Sequence, residues 1–399
     1  MLNIALVALL ALGGVQRTLG ELVPLTMLSA DTYPDARCLD GSQAGYYVQP
    51  SSAAENSTKW VIYLNGGGEC DSESACAYQA GTELGSSKYF YNETNANAWF
   101  WGSDYCGDNP DFCTWNHAYD PYCTQDLHTG QRREATKDTW GLYFSGHLVL
   151  EAMLNDMDRQ GLLQATEIIL TGASAGGLGV WPNLDYIAER YPSAKVTGAT
   201  VAGHYFYATY YKGPHATDPG GMADFRKEAW AATYALYDAF VDVDCKAAME
   251  AVGESPGGCI LSNVTLPYVS SPGFVVQSQT DSVVLTGHDC WPEDYGYDPL
   301  PLNFMSMWHA NMSQALDPLM HEKARDVSDP ANLGMAYKYG VFAAACYCHC
   351  SFTSSGPYIS GSTYHQAHSA WYFQETNGAS PEEFKLSDDC GERCNPTCV

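Results

Sequence analysis

The 399-residue sequence predicts the α/β class, a mainly parallel sheet covered by helices on both faces. Three observations predict it. Short aliphatic and β-branched runs alternate with stretches of helical spacing through most of the chain. Several runs end in glycine or an acid, at the strand ends where open parallel sheets bind ligands. One run, Glu167 to Thr171, passes through Gly172-Ala173-Ser174-Ala175-Gly176 straight into a helix-compatible segment ending at Trp181. A strand-turn-helix junction of this kind needs small residues two before and two after the serine, and it pushes the serine out at the edge of the sheet. The plain alternative is a glycine-rich turn with an ordinary exposed serine.

Taken in order, the first twenty residues hold an apolar run, Ile4 to Leu12, then small and polar residues with Arg17. Residues 1–20 are expected to be a signal peptide, with a buried first helix as the alternative because no Lys or Arg precedes the run. Residues 21–399 are expected to form a single catalytic domain, since no linker, low-complexity tract or repeat divides them. Tyr46, Tyr47 and Val48 predict an early edge strand within Arg37 to Pro50. Trp60 to Leu64 predicts a central buried strand running into Gly66, Gly67 and Gly68, where backbone comes close to a ligand. Cys70 to Cys123 is cysteine-rich and aromatic (Tyr89, Phe90, Tyr91, Trp99, Phe100, Trp101) with little periodicity, as a disulfide-stapled excursion over the active-site side would be. Those aromatics could stack on a sugar or line an acyl pocket; ordinary core packing is the alternative.

Trp140 to Phe144 predicts a further strand, and Gly146 to Gln160 a helix that closes a strand-helix-strand unit at Ser174. Beyond it, helices are predicted over Leu178 to Tyr191, with Pro182 in its first turn, over Met222 to Val252, and over Asn303 to Arg325. Lys195 to Thr200 and Gly273 to Asp281 predict strands, the second ending in an acid. Tyr339 to Cys350 is an apolar strand that delivers His349 between two cysteines.

Acidic residues outnumber basic ones 46 to 19, a formal charge of −27. That field repels phosphate backbones, anionic membrane surfaces and strongly anionic polymers, so no nucleic-acid partner is expected. No stretch beyond the leader offers about 18 uninterrupted apolar residues, so no membrane span is expected. Fifteen cysteines argue for an oxidising compartment, with seven disulfides and one odd thiol as the simplest arithmetic. Sequons at Asn56, Asn92, Asn263 and Asn311 fit a secreted glycoprotein. It is expected to act outside the cell, with the cell wall as one location, and as a monomer.

Ser174, Asp281 and His349 stand in the order nucleophile, acid, base used on α/β-hydrolase-like folds. A serine hydroxyl attacks only when a neutral imidazole takes its proton, and a buried carboxylate fixes that imidazole's tautomer. The amides of Gly67, Gly68 and Ala175 are the expected oxyanion hole. His288 and Asp289 form a second-ranked base and acid pair. Cys346-x-Cys348-His349-Cys350 could instead be a metal cluster with His365 and His368, but it lacks paired Cys-x-x-Cys arms, and no metal or organic cofactor is expected.

Three blocks carry a resemblance. Leu64-Asn-Gly-Gly-Gly-Glu-Cys70, Thr171-Gly-Ala-Ser-Ala-Gly-Gly177 and Ala345-Cys-Tyr-Cys-His-Cys350 together resemble the pectin acetylesterase and Notum family of secreted serine esterases, over roughly Asp35 to Phe352. The resemblance implies an α/β-hydrolase-like fold and cofactor-free hydrolysis of carboxylic esters, with Asp281 in the place of the family's acid. Plant and microbial members remove acetyl groups from pectin; animal Notum members remove palmitoleate from a Wnt serine. Where members commonly carry a tryptophan in the oxyanion loop, this chain has Gly68 and Glu69, and Asn65 replaces a frequent acidic residue. The expected substrate is therefore an acetylated polysaccharide or another acyl ester. A Notum-like protein deacylase and a non-catalytic secreted binding glycoprotein on the same scaffold are the alternatives.

Overall fold

The computed structural model describes residues 22–95, 106, 109–217, 225–353 and 355–398. The expected signal peptide and the aromatics Trp99, Phe100 and Trp101 lie outside the described residues. Ten strands form one sheet: β1 (Leu22–Met27), β2 (Gly45–Gln49), β3 (Lys59–Leu64), β4 (Glu93–Asn95), β5 (Asn116–Asp120), β6 (Glu167–Ala173), β7 (Lys195–Val201), β8 (Gly273–Asp281), β9 (Tyr339–Cys348) and β10 (Lys385–Ser387). Their order is β10-β9-β8-β7-β6-β3-β5-β2-β1-β4. From β10 to β5 every neighbouring pair is parallel, and β2, β1 and β4 add an antiparallel margin.

A parallel sheet with both faces covered needs strands that are apolar throughout, and β8 is buried at every position. Successive side chains serve opposite faces. Ile62, Ile168, Leu170, Val275 and Val341 pack on one face with the helices Gly146–Asp158, Ala175–Arg190 and Pro299–Met320. Val61, Ile169, Val201, Phe274, Val276 and Phe342 pack on the other with the helix Tyr364–Tyr372.

Several expectations need correction. Tyr46, Tyr47 and Val48 do form a strand, but β2 lies between β5 and β1 rather than at the edge. Trp140 to Phe144 is a loop: Trp140 and Gly141 take positive φ, which breaks any ladder, and Tyr143 N–H donates singly to Leu39. Met222 to Val252 is not one helix; Lys227–Tyr237 ends at left-handed Asp238, and Asp242 caps a second helix, Val243–Ala251. Pro182 lies well inside the helix Ala175–Arg190, because that helix begins directly after the serine. Six disulfides form, Cys38–Cys123, Cys70–Cys76, Cys106–Cys113, Cys245–Cys259, Cys346–Cys398 and Cys390–Cys394, and Cys290, Cys348 and Cys350 are thiols. Among the described residues no helix is long and apolar enough to cross a membrane.

Candidate active site

The parallel topology brings the carboxyl ends of β3, β6, β8 and β9 to one side, and the candidate residues follow those ends. Ser174 joins β6 to its helix with φ 56° and ψ −124°, a conformation that residues with a Cβ rarely adopt. Its N–H donates to Val201 of the neighbouring strand and holds the turn against the sheet. The turn demands missing side chains. A Cβ on Gly176 would stand 2.0 Å from the Leu64 carbonyl oxygen, and one on Gly172 would stand 2.5 Å from Gly176. These contacts are backbone on backbone and cannot be relieved by a rotamer. Gly176→Ala is accordingly expected to lower unfolding stability by about 3 kcal/mol, read as a fall in the denaturant midpoint, and to displace Ser174.

Asp281 closes β8 and is fully buried. Its Oδ1 accepts from the N–H groups of Val283 and Val284 at 3.1 and 3.0 Å, and its Oδ2 from Tyr205 Oη at 3.0 Å and Gln277 Nε2 at 3.2 Å. His349 follows β9 by one residue and sets Nδ1 at 2.9 and 2.8 Å from the two carboxylate oxygens. A carboxylate only accepts, so Nδ1 carries the hydrogen and Nε2 is left as the basic atom. Nε2 is buried and bonded to no protein atom among the described residues. Burial by itself favours a protonated acid, but His349, the Val284 amide and Tyr205 outweigh it and hold Asp281 below the ordinary carboxylate value. Burial likewise opposes charge on His349, and the Asp281 carboxylate outweighs it and raises the imidazole well above its ordinary value. The disulfide Cys346–Cys398 ties this strand to the C-terminal segment.

Ser174 and His349 line one cavity of about 500 Å³, together with Asn65 to Glu69 and Ala175. Gly67 and Gly68 have φ of 150° and 73°, which explains glycine at both positions. Among the described residues the N–H groups of Gly67, Gly68 and Ala175 meet no protein acceptor. Leu178, Phe225, Val283 and Val284 give the cavity apolar walls. Glu69 and His288 add a polar patch, Nδ1 to Oε1 at 3.5 Å, although each is only 5 to 6% exposed.

The structure thus brings the sequence-predicted residues Ser174, His349, Gly67, Gly68 and Ala175 to one cavity, with Asp281 bonded behind the histidine. It separates the second-ranked pair: His288 lines the cavity beside Glu69, whereas Asp289 is turned to the indole N–H of Trp308 at 2.8 Å. The metal reading of the Cys-His-Cys run fails on geometry, since Cys346 is in a disulfide and His349 is held by Asp281. Tyr205 was not legible as a partner of Asp281, because it lies 76 positions away and meets the acid only across the sheet.

A family model described as pectinacetylesterase matches residues 16–399. Pectin acetylesterase 4 of Arabidopsis thaliana is 28% identical over 392 residues, covering 95% of this chain and 88% of that protein. Palmitoleoyl-protein carboxylesterase notum1 of Xenopus laevis is 29% identical over 379 residues, covering 90% of this chain and 72% of that protein. A solved structure of the Wnt deacylase Notum from Drosophila superposes with a TM-score of 0.76 at 22% identity, over 95% of this chain and all of that one.

Proposed function

Because the chain belongs to the pectinacetylesterase family and is a carboxylic-ester hydrolase, we propose that it removes O-acetyl groups from an extracellular polysaccharide through Ser174, His349 and Asp281. The observation that carries this reading is the Asp281-bound His349, whose Nε2 stays unbonded beside the cavity that Ser174 also lines. His349 Nε2 takes the Ser174 proton as Oγ attacks the ester carbonyl. The carbonyl oxygen becomes an oxyanion held by loop and elbow amides, from Gly67, Gly68 and Ala175, and each such donor contributes about 3 to 4 kcal/mol to lowering the barrier. Collapse breaks the C–O bond, His349 returns the proton to the departing sugar hydroxyl, and an acetyl-serine remains. Water, deprotonated by the same nitrogen, then releases acetate and restores the hydroxyl. No metal or organic cofactor enters these steps. In this reading residues 21–399 are one catalytic domain that acts outside the cell after the leader is removed.

Leu178, Phe225, Val283 and Val284 favour a second reading, in which the cavity takes a long acyl chain from an acylated protein, the activity for which the palmitoleoyl-protein carboxylesterase notum1 of Xenopus laevis is named. Glu69 and His288 favour the acetyl reading, since a hydrocarbon laid over a buried carboxylate strips it of water without offering a hydrogen bond. Rates on esters from two to about sixteen carbons decide between them, because each buried methylene contributes about 0.8 kcal/mol. The acetyl reading predicts kcat/KM falling beyond butyrate and acetate released from an acetylated pectin; rates that climb to long chains with no acetate released would replace it by the lipid reading.

A further inference from the structure

The loop following β5, residues 120–128, is almost wholly buried and lines no part of the catalytic cavity, yet it meets the oxyanion loop from behind along its length. Its side chains reach three carbonyls there. His128 Nε2 lies 2.9 Å from the Asn65 oxygen, Gln125 Nε2 donates to the Gly67 oxygen at 3.1 Å, and Tyr122 Oη donates to the Gly68 oxygen at 2.8 Å. In a planar trans peptide the carbonyl and the following N–H point in opposite directions. Pinning the oxygens of Gly67 and Gly68 away from the cavity therefore aims the N–H groups of Gly68 and Glu69 toward it.

We propose that Tyr122, Gln125 and His128 are positioning residues: Gln125 fixes the peptide that presents the Gly68 N–H, Tyr122 fixes the next one and so adds the Glu69 N–H to the oxyanion donors, and His128 anchors the loop at the Asn65 carbonyl where it leaves β3. The proposal rests on the esterase reading of the same cavity. The loop is built for rigidity. Tyr122, Gln125, Leu127 and His128 all take positive φ between 55° and 59°, which side-chain-bearing residues hold only when their surroundings enforce it. The enforcement is visible in the Asp126 carboxylate, which accepts from Thr124 Oγ1 at 2.6 Å and from the Gly146 N–H at 2.7 Å. It is visible also in the Cys38–Cys123 disulfide and in Asn183 Nδ2, which donates to the His128 carbonyl at 3.0 Å. Tyr122 Oη accepts the Leu127 N–H at 2.9 Å, so its hydrogen is directed to Gly68. His128 sets Nδ1 3.3 Å from Asp120 and stacks on the Tyr122 ring. Burial opposes charge on His128, and Asp120, Asn65 and Asp126 outweigh it and raise the imidazole above its ordinary value.

The test is Tyr122→Phe, which removes one oxygen and keeps the stacked ring, together with Gln125→Met, which keeps length and removes the donor. On a small acetyl ester each is expected to lower kcat about 10-fold or more with KM within about twofold, since the donors act mainly on the transition state. Affinity for a trifluoromethyl ketone, whose adduct with serine carries the oxyanion, is expected to weaken by the same factor as kcat/KM. A role in stability alone would lower the denaturant midpoint and leave those two quantities unlinked. If Gln125→Met does not fold, Tyr122→Phe decides alone. Folded Tyr122→Phe with wild-type kcat, or with lowered kcat and unchanged ketone affinity, would overturn the positioning role while the esterase reading stood. An inactive wild-type protein would sink that reading first.

Discussion

Ser174→Ala is expected to lower kcat on small acetyl esters by a factor on the order of 10⁵ to 10⁶, with the fold and the denaturant midpoint retained. The loss is large because no other group in the cavity replaces the hydroxyl. Cys350 also lines it, but in sequence it follows His349, whereas the elbow and the Ala175 amide are set around position 174. The residual rate would come from water held between His349 and the oxyanion amides. Stability is retained because the Ser174 side chain caps nothing; the elbow is held by its N–H on Val201 and by the close approach of Gly172 and Gly176. Steady-state rates beside a denaturation curve check both halves.

Asp281→Asn is expected to cost about 10⁴ in kcat and to move the pH profile. The surrounding donors dictate the amide's orientation. The Val283 and Val284 N–H groups are fixed backbone donors, whereas Tyr205 Oη can turn its hydrogen wholly to the Ala202 carbonyl at 2.7 Å, so the amide oxygen is drawn to the backbone pair at the expense of the Gln277 contact and the NH₂ is left toward His349 Nδ1. Nδ1 must then accept, the ring hydrogen moves to Nε2, and the nitrogen needed as base is blocked. The sign of the pH effect follows from the charges. In the wild type, Asp281 raises His349 well above the ordinary histidine value, so the imidazole is protonated and inactive at low pH and activity grows as pH rises through that raised value. Without the carboxylate, burial favours the neutral ring and Cys350 is the remaining opposing influence, so the acid limb of kcat/KM should shift to lower pH. An unchanged limb would mean that another group governs it.

Much of this architecture was legible in the sequence because the signals were local. β3, β6, β8 and β9 announce themselves as apolar runs, and each ends at a chemically informative residue: the glycine loop, Ser174, Asp281 or His349. What remained hidden depends on contacts across the sheet. β5 reads as Asn-His-Ala-Tyr-Asp and carries little apolar alternation, yet it is a parallel neighbour of β3 and sets out the loop behind the oxyanion amides. Trp140 to Phe144 has strand composition, and positive φ at Trp140 and Gly141 overrides it. The cysteine count fitted seven bridges, whereas geometry joins six and leaves Cys348 beside Ser278 Oγ at 2.9 Å and Cys350 in the cavity wall. Glu69 was visible as a departure from the family pattern, but its meeting with His288 required the fold.

The most direct test of the central claim is covalent labelling of the wild-type protein with a fluorophosphonate, followed by peptide mass spectrometry. One equivalent of label on Ser174, lost in Ser174→Ala and prevented when His349 is replaced by Ala, is the predicted result. Label on another residue, or no label on folded protein that hydrolyses an acetyl ester, would contradict it.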